Sequence, residues 1–103
     1  MMDFAKMMKQ AQSLQKEMEA AQKRIEALEV TGTSGGGSIS ILLAGKGRMK
    51  SISIDPTCCK EEPEVLEDLI LAAYSDAWSK LEEKRRQEMS GVAGGNLPMD
   101  LIG

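Results

Sequence analysis

The chain reads as an α+β domain with the order α-β-β-β-α and a glycine-rich tail. Three observations predict this. Residues 4–28 carry an uninterrupted heptad pattern, the mark of a long amphipathic helix. Two short segments alternate apolar and hydroxyl residues with a period of two on either side of Ala44-Gly45-Lys46-Gly47, as in a β-hairpin. A second apolar stripe with helical spacing opens at Pro63.

The first helix is defined by the seam Phe4, Met7, Ala11, Leu14, Met18, Ala21, Ile25 and Leu28, which advances in steps of three and four. Gln, Lys, Glu and Ala fill the other positions, all good helix formers, and no Pro or Gly interrupts them. Asp3 can cap the N-terminus, and the helix is predicted to end near Glu29. At 1.5 Å per residue it is a rod of roughly 40 Å. A compact chain of this length has a radius of gyration near 13 Å. The helix must therefore overhang its own domain or meet a partner chain.

Val30 to Ser34 reads as a short strand, and Gly35-Gly36-Gly37 as a turn or bulge. In Ser38–Leu43, Ile39, Ile41 and Leu43 face one way and Ser38 and Ser40 the other. After the hairpin, Arg48–Asp55 returns with Ile52 and Ile54 inward, and Pro56 stops it. The result is a three-stranded antiparallel sheet.

Pro63 suits the first turn of the second helix, and Glu64, Glu67 and Asp68 suit the positive end of its dipole. Its stripe is Leu66, Leu69, Ile70, Ala73, Ala77 and Leu81, with Val65, Tyr74 and Trp78 beside it. Lys84-Arg85-Arg86 follow near its C-terminal end. Residues 1–89 form one domain, and residues 90–103, rich in glycine, are expected to be a mobile tail.

The core is small. Phe4, Tyr74 and Trp78 are the three aromatic residues, and eight Met contribute much of the remaining bulk. Such a core is marginal alone, and dimerisation is a common remedy. No apolar run is long enough to span a membrane, and the first residues lack the apolar region of a signal peptide. The expected location is the cytoplasm.

The residue types point away from catalysis. The chain has no His, which removes the commonest general base and metal ligand. The glycines at 35–37 are not followed by a Lys and a helix, as a phosphate-binding loop requires. Cys58-Cys59 has no partner pair for zinc, and neighbouring cysteines strain a disulfide; both are expected to be reduced and to pack between strand and helix. The run Glu61, Glu62, Glu64, Glu67, Asp68 reads as a solvated first turn, because carboxylates on a helix diverge around its axis. The expectation is a non-enzyme with no cofactor, metal or small-molecule substrate.

Charge divides unevenly along the chain. The net charge is −3, yet residues 61–83 carry eight carboxylates and one Lys, while residues 39–60 carry four basic side chains and one Asp. Basic candidates for a polyanion partner are Lys6, Lys9 and Lys16 on the first helix, Lys46, Arg48 and Lys50 at the hairpin, and Lys84, Arg85 and Arg86 on the second helix. Ordinary surface charge is the competing reading for each.

Several segments together resemble the YbaB/EbfC family of small bacterial nucleoid-associated proteins. They are Met8-Lys9-Gln10-Ala11-Gln12, residues Leu28 through Gly37, the Gly45 turn, Ile52-Ser53-Ile54-Asp55-Pro56, Leu66 through Ala73, and the glycine-rich tail with Leu97-Pro98. Cys58-Cys59 stands where that family looks more usually aliphatic. The resemblance implies a homodimer joined through a β-sheet core, with long helices projecting like tweezers. It also implies duplex DNA binding with little sequence preference, and a place in nucleoid organisation and gene regulation. Carried over residue by residue, the DNA-binding candidates are Lys6, Lys9, Lys16, Lys84, Arg85 and Arg86. The alternative is a protein-interaction adaptor near recombination or replication machinery, using the seam and the acidic second helix.

Overall fold

A computed structural model describes residues 3–92. The described order is α1 (Phe4–Glu26), β1 (Glu29–Ser34), β2 (Ile39–Ala44), β3 (Met49–Ile54) and α2 (Pro63–Ser90), with short 3-10 segments at Gly35–Gly37 and Pro56–Lys60. The predicted α-β-β-β-α order and antiparallel sheet are both present, in the spatial order β1-β2-β3. Of the expected tail, residues 93–103 lie outside the described residues. Ser90 is the last residue of α2, and Val92 is buried.

α2 crosses one face of the sheet over β1 and β2. Ile39, Ile41 and Leu43 point to it and are fully buried, together with Ala73, Ala77 and Leu81. Each of the Ile and Leu side chains contributes roughly 1.5–3 kcal/mol when taken out of water. The contact is close because small residues meet: a Cβ at Gly32 of β1 would stand 2.2 Å from the Ala77 backbone nitrogen. Trp78 stacks on Tyr74 with ring centroids 6.4 Å apart, and its edge leans over Gly47.

β3 departs from expectation. Ile52 was expected inward with Ile54, yet it is 42% exposed, and Ile54 is half-buried. The register explains this. Ile52 lies opposite Ile41 and so shares α2's face, but α2 does not extend over β3. The periodicity was sound, but it could not reveal where the covering helix stops.

α1 ends earlier than expected, at Glu26, with Ala27 as its cap. The hairpin sets this limit: a Cβ at Gly45 would stand 1.6 Å from the Ile25 carbonyl oxygen, so the turn sits directly on the helix end. Leu28 therefore lies past the helix. It still packs, bridging the sheet core to a second cluster of Ala21, Ile25, Met89 and Val92. That cluster joins α1 running into the sheet to α2 running away from it. Among the described residues the distal part of α1 continues alone, and the molecule measures 72 × 19 × 16 Å, with a radius of gyration of 19.3 Å.

Cys58 is buried in the core, whereas Cys59, expected to pack beside it, is exposed; both are free thiols. A 3-10 turn advances about 120° per residue, so neighbouring side chains cannot both point inward. Cys58→Ser should therefore lower stability, and Cys59→Ser should leave it nearly unchanged. Equal shifts in the urea midpoint of the two variants would contradict this placement.

Candidate nucleic-acid interface

Asp3 caps α1 by accepting hydrogen bonds from the Ala5 and Lys6 amides at 3.1 and 3.4 Å. From there the heptad fixes which side chains share a face. Lys9 and Lys16 are seven residues apart and lie opposite the seam. Lys23, seven residues further on, extends the same line. It was not singled out in the sequence reading, although its spacing from Lys16 was the available signal. Lys6, Ser13 and Ala20 flank the line on one side, and Glu19, three residues after Lys16 and four before Lys23, flanks it on the other. All four lysines are exposed, and they form no ion pair among the described residues. From Lys9 to Lys23 the line is about 21 Å long.

The seam on the opposite side splits into two halves. Ala21 and Ile25 are buried against α2, and Leu14 and Met18 are partly covered by the same cluster. Phe4 is 74% exposed, Met7 is 44% exposed, and Ala11 is also exposed.

The second basic group stands in a different environment. Arg86 is held by Glu83 at 2.6 Å, Arg85 is half-buried, and Lys84 lines a shallow groove with Glu29, Lys80, Glu83 and Gln87. Nearby, Arg24 donates to Glu88 at 2.6 Å and ties α1 to α2. At the hairpin, Lys46 pairs with Glu26 at 3.5 Å, and Lys50 pairs with Glu29. Among the described residues the α1 lysines thus stand outside the ion pairs that hold Arg24, Lys46, Lys50, Lys80 and Arg86.

The two sheet edges are treated differently. On β1, the Thr33 amide donates to Asp76 Oδ2 at 2.9 Å, and Lys80 Nζ donates to the Thr31 carbonyl at 3.2 Å. Asp76 and Lys80 also pair with each other at 2.9 Å, so α2 closes this edge. The Thr33 amide, followed by the Lys80 ammonium, holds the Asp76 carboxyl below its ordinary range. The contribution is present above the unfolded pKa near 3.8 and is lost as pH falls through the lower folded value. Wild type should therefore be more stable than Asp76→Ala at neutral pH, and their urea midpoints should converge as pH falls below about 4. A gap that persists unchanged at pH 2 would contradict this.

Among the described residues, β3 has no such closure. Met49 and Ile52 are each 42% exposed at its margin. Leu71 of α2, 65% exposed, lies on the same flank as Tyr74 and Trp78 by its i, i+3, i+7 spacing, and Trp78 leans over the hairpin. An open strand edge bordered by apolar residues is a site for adding another strand.

These features define an elongated α+β protein with an uncovered sheet edge and a projecting helix that carries a basic face. The chain matches the YbaB/EbfC DNA-binding family over residues 1–96, and it belongs to that family. It is 45% identical to a nucleoid-associated protein of Brucella anthropi over 100 residues, which cover 96% of this chain and 92% of that one. A nucleoid-associated protein of Rhodopseudomonas palustris is also 45% identical, over 98% of this chain and 97% of its own. The fold is similar to the crystal structure of an uncharacterized protein from Helicobacter pylori, with a TM-score of 0.72, full coverage of both chains and 21% identity.

Proposed function

We propose that this protein is a non-catalytic, nucleoid-associated protein of the cytoplasm that binds duplex DNA as a homodimer with little sequence preference. The observation that carries the reading is the line of Lys9, Lys16 and Lys23, flanked by Lys6, on a helix that projects away from the acidic half of the chain. Family membership supports DNA as the polyanion. Lysines spaced along one helix face meet phosphates as point charges, and such contacts position a protein without reading bases.

Charge distribution favours this face over the whole body. The carboxylates of residues 61–83 are concentrated on the half of α2 that covers the sheet and just beyond it, while the α1 lysines extend away from it. Exposed charges more than about 8 Å apart are largely screened at physiological salt. The distal lysines therefore act nearly independently of the net charge of −3. Lys84, Arg85 and Arg86 play a secondary part, because carboxylates or partial burial already occupy that region.

The second copy pairs along β3, the sheet edge that α2 leaves open. Pairing there would extend the sheet across the twofold axis and cover Met49, Ile52 and Leu71. It would also double the number of lysine faces. Sedimentation at micromolar concentration should give about twice the 11.2 kDa chain mass. Ile52→Asp should shift the protein to monomer, since an unpaired charge buried at an interface costs several kcal/mol. A variant that stays dimeric would exclude β3 as the interface.

DNA binding is tested by anisotropy titration of the full chain on a labelled random duplex at two salt concentrations. Affinity should fall steeply with salt, with a log–log slope of about −4 to −5 if four to six phosphates are neutralised. Absence of binding at low salt would move the adaptor reading to first place.

A further inference from the structure

We propose that Arg24 and Glu88 are positioning residues. Their ion pair fixes the angle at which α1 leaves the sheet, and with it the place of the lysine line that meets the DNA backbone. The inference rests on the DNA-binding reading above and adds how that face is held.

α1 is anchored near one end. Its last turn meets the hairpin, where a Cβ at Gly45 would stand 1.6 Å from the Ile25 carbonyl oxygen. Ala21 and Ile25 are buried with Met89 and Val92, and Leu14 and Met18 are partly covered by the same cluster. Phe4, Met7 and Ala11 are exposed. Ala27 and Leu28 alone connect α1 to β1.

A rod held at its base magnifies small errors of angle. Lys9 lies about 24 Å from Ile25 along the helix, so a swing of about 10° moves it by about 4 Å. That displacement matches the whole range of about 4 Å over which an ammonium pairs with an anionic oxygen. The position of the lysine line therefore depends on how firmly the base is oriented.

The apolar cluster supplies adhesion more than direction. Met89 is unbranched and flexible, and such a side chain adapts when its neighbours slide. The ion pair supplies direction. Arg24 Nε donates to Glu88 Oε2 at 2.6 Å, between residues 64 apart in the chain. A guanidinium is planar and its donors point along fixed lines, unlike those of an ammonium. Glu88 adjoins Met89, so the directional bond and the apolar contact share the last turn of α2. The two side chains are 53% and 31% exposed, and a pair so exposed contributes little to global stability. Its effect falls on the orientation of the rod.

The test has two readouts, both on the full-length protein. The first is anisotropy titration on a labelled random duplex. Glu88→Ala removes a negative charge, so a role through charge alone predicts tighter binding. The positioning role predicts affinity about fivefold weaker, because orientation is then lost on binding. The salt slope should stay unchanged, since the phosphate contacts are the same in number. Arg24→Glu/Glu88→Arg rebuilds the pair at constant net charge and should restore the wild-type affinity. The second readout is the distance between spin labels on Gln12→Cys and Ser53→Cys, in a Cys59→Ser background diluted with unlabelled chains. Glu88→Ala should broaden this distribution about twofold as more orientations are populated, and the charge swap should narrow it again. The urea midpoints should stay close to one another.

Equal or tighter binding by Glu88→Ala, or an unchanged distance distribution, would overturn the proposal. A charge-swapped protein as weak as Glu88→Ala, with a flatter salt slope, would also overturn it, because Arg24 would then act on DNA directly. Absence of DNA binding by the wild type would instead fail the underlying reading, and the distance measurement would still decide whether the pair holds the angle.

Discussion

Gly32→Val is expected to cost more than about 3 kcal/mol of stability, enough to remove much of what holds a domain of this size together. Gly32 is where β1 passes under α2. A Cβ there would stand 2.2 Å from the Ala77 nitrogen, 2.3 Å from the Ala73 carbonyl oxygen and 2.5 Å from the Ala77 Cβ. Two of the three are backbone atoms, so no rotamer change can relieve the overlap. The helix would have to lift, and with it the contact between Leu81 and the Ile39, Ile41, Leu43 row would open. Gly36 provides the comparison. Its φ is +66° and nothing lies within 4 Å of an added Cβ, so Gly36→Ala should cost only the local strain of about 1–2 kcal/mol. Urea denaturation of both variants measures the difference. Similar losses would mean that β1 and α2 are not in the close contact described.

Lys9→Gln/Lys16→Gln/Lys23→Gln should produce the largest functional loss. The substitutions keep helix propensity and length and remove three charges per chain from one face. In a dimer that is six potential phosphate contacts, each contributing about 0.9 to the salt slope. Affinity for duplex should fall about a hundredfold or more at 0.1 M salt, and the slope should flatten for every sequence alike. Lys84→Gln/Arg85→Gln/Arg86→Gln should have a smaller effect, because Glu83 already holds Arg86 and Arg85 is half-buried. Anisotropy titrations on the two variants rank the faces. A larger loss in the α2 variant would reverse the assignment.

The parts of the fold that depend on local pattern were legible in the chain. The heptad placed α1, the period-two alternation placed β2, and Pro63 placed the start of α2. What the pattern could not give was the extent of tertiary cover. Ile52 has the same alternation as Ile41 opposite it, yet Ile41 lies beneath α2 and Ile52 beyond it. The seam shows the same limit: Ile25 and Phe4 hold equivalent heptad positions but are 3% and 74% exposed. Sequence specifies the face, and only the lengths and crossing of two helices decide how much of it is covered.

The candidate site was legible in part for a similar reason. Lys6, Lys9 and Lys16 stood out as basic residues off the seam, and their exposure follows from that position. Lys23 was missed because Arg24, Glu26 and Glu29 nearby make its neighbourhood look neutral in one dimension. In the fold each of them has another partner: Arg24 is tied to Glu88 from a chain segment 64 residues away, Glu26 pairs with Lys46, and Glu29 lies in β1 and pairs with Lys50. The reverse holds for Lys84-Arg85-Arg86: adjacency in sequence suggested a patch, but consecutive helical side chains diverge by about 100° and meet different surroundings.

Amide chemical-shift mapping of the full-length protein titrated with a short random duplex is the most direct test of the central claim. The account predicts perturbations concentrated on α1 from Lys6 to Lys23, weakened together by raising salt, with the sheet-covering half of α2 from Pro63 to Leu81 unaffected. Perturbations confined to the hairpin residues Lys46, Arg48 and Lys50, or to that half of α2, would contradict it.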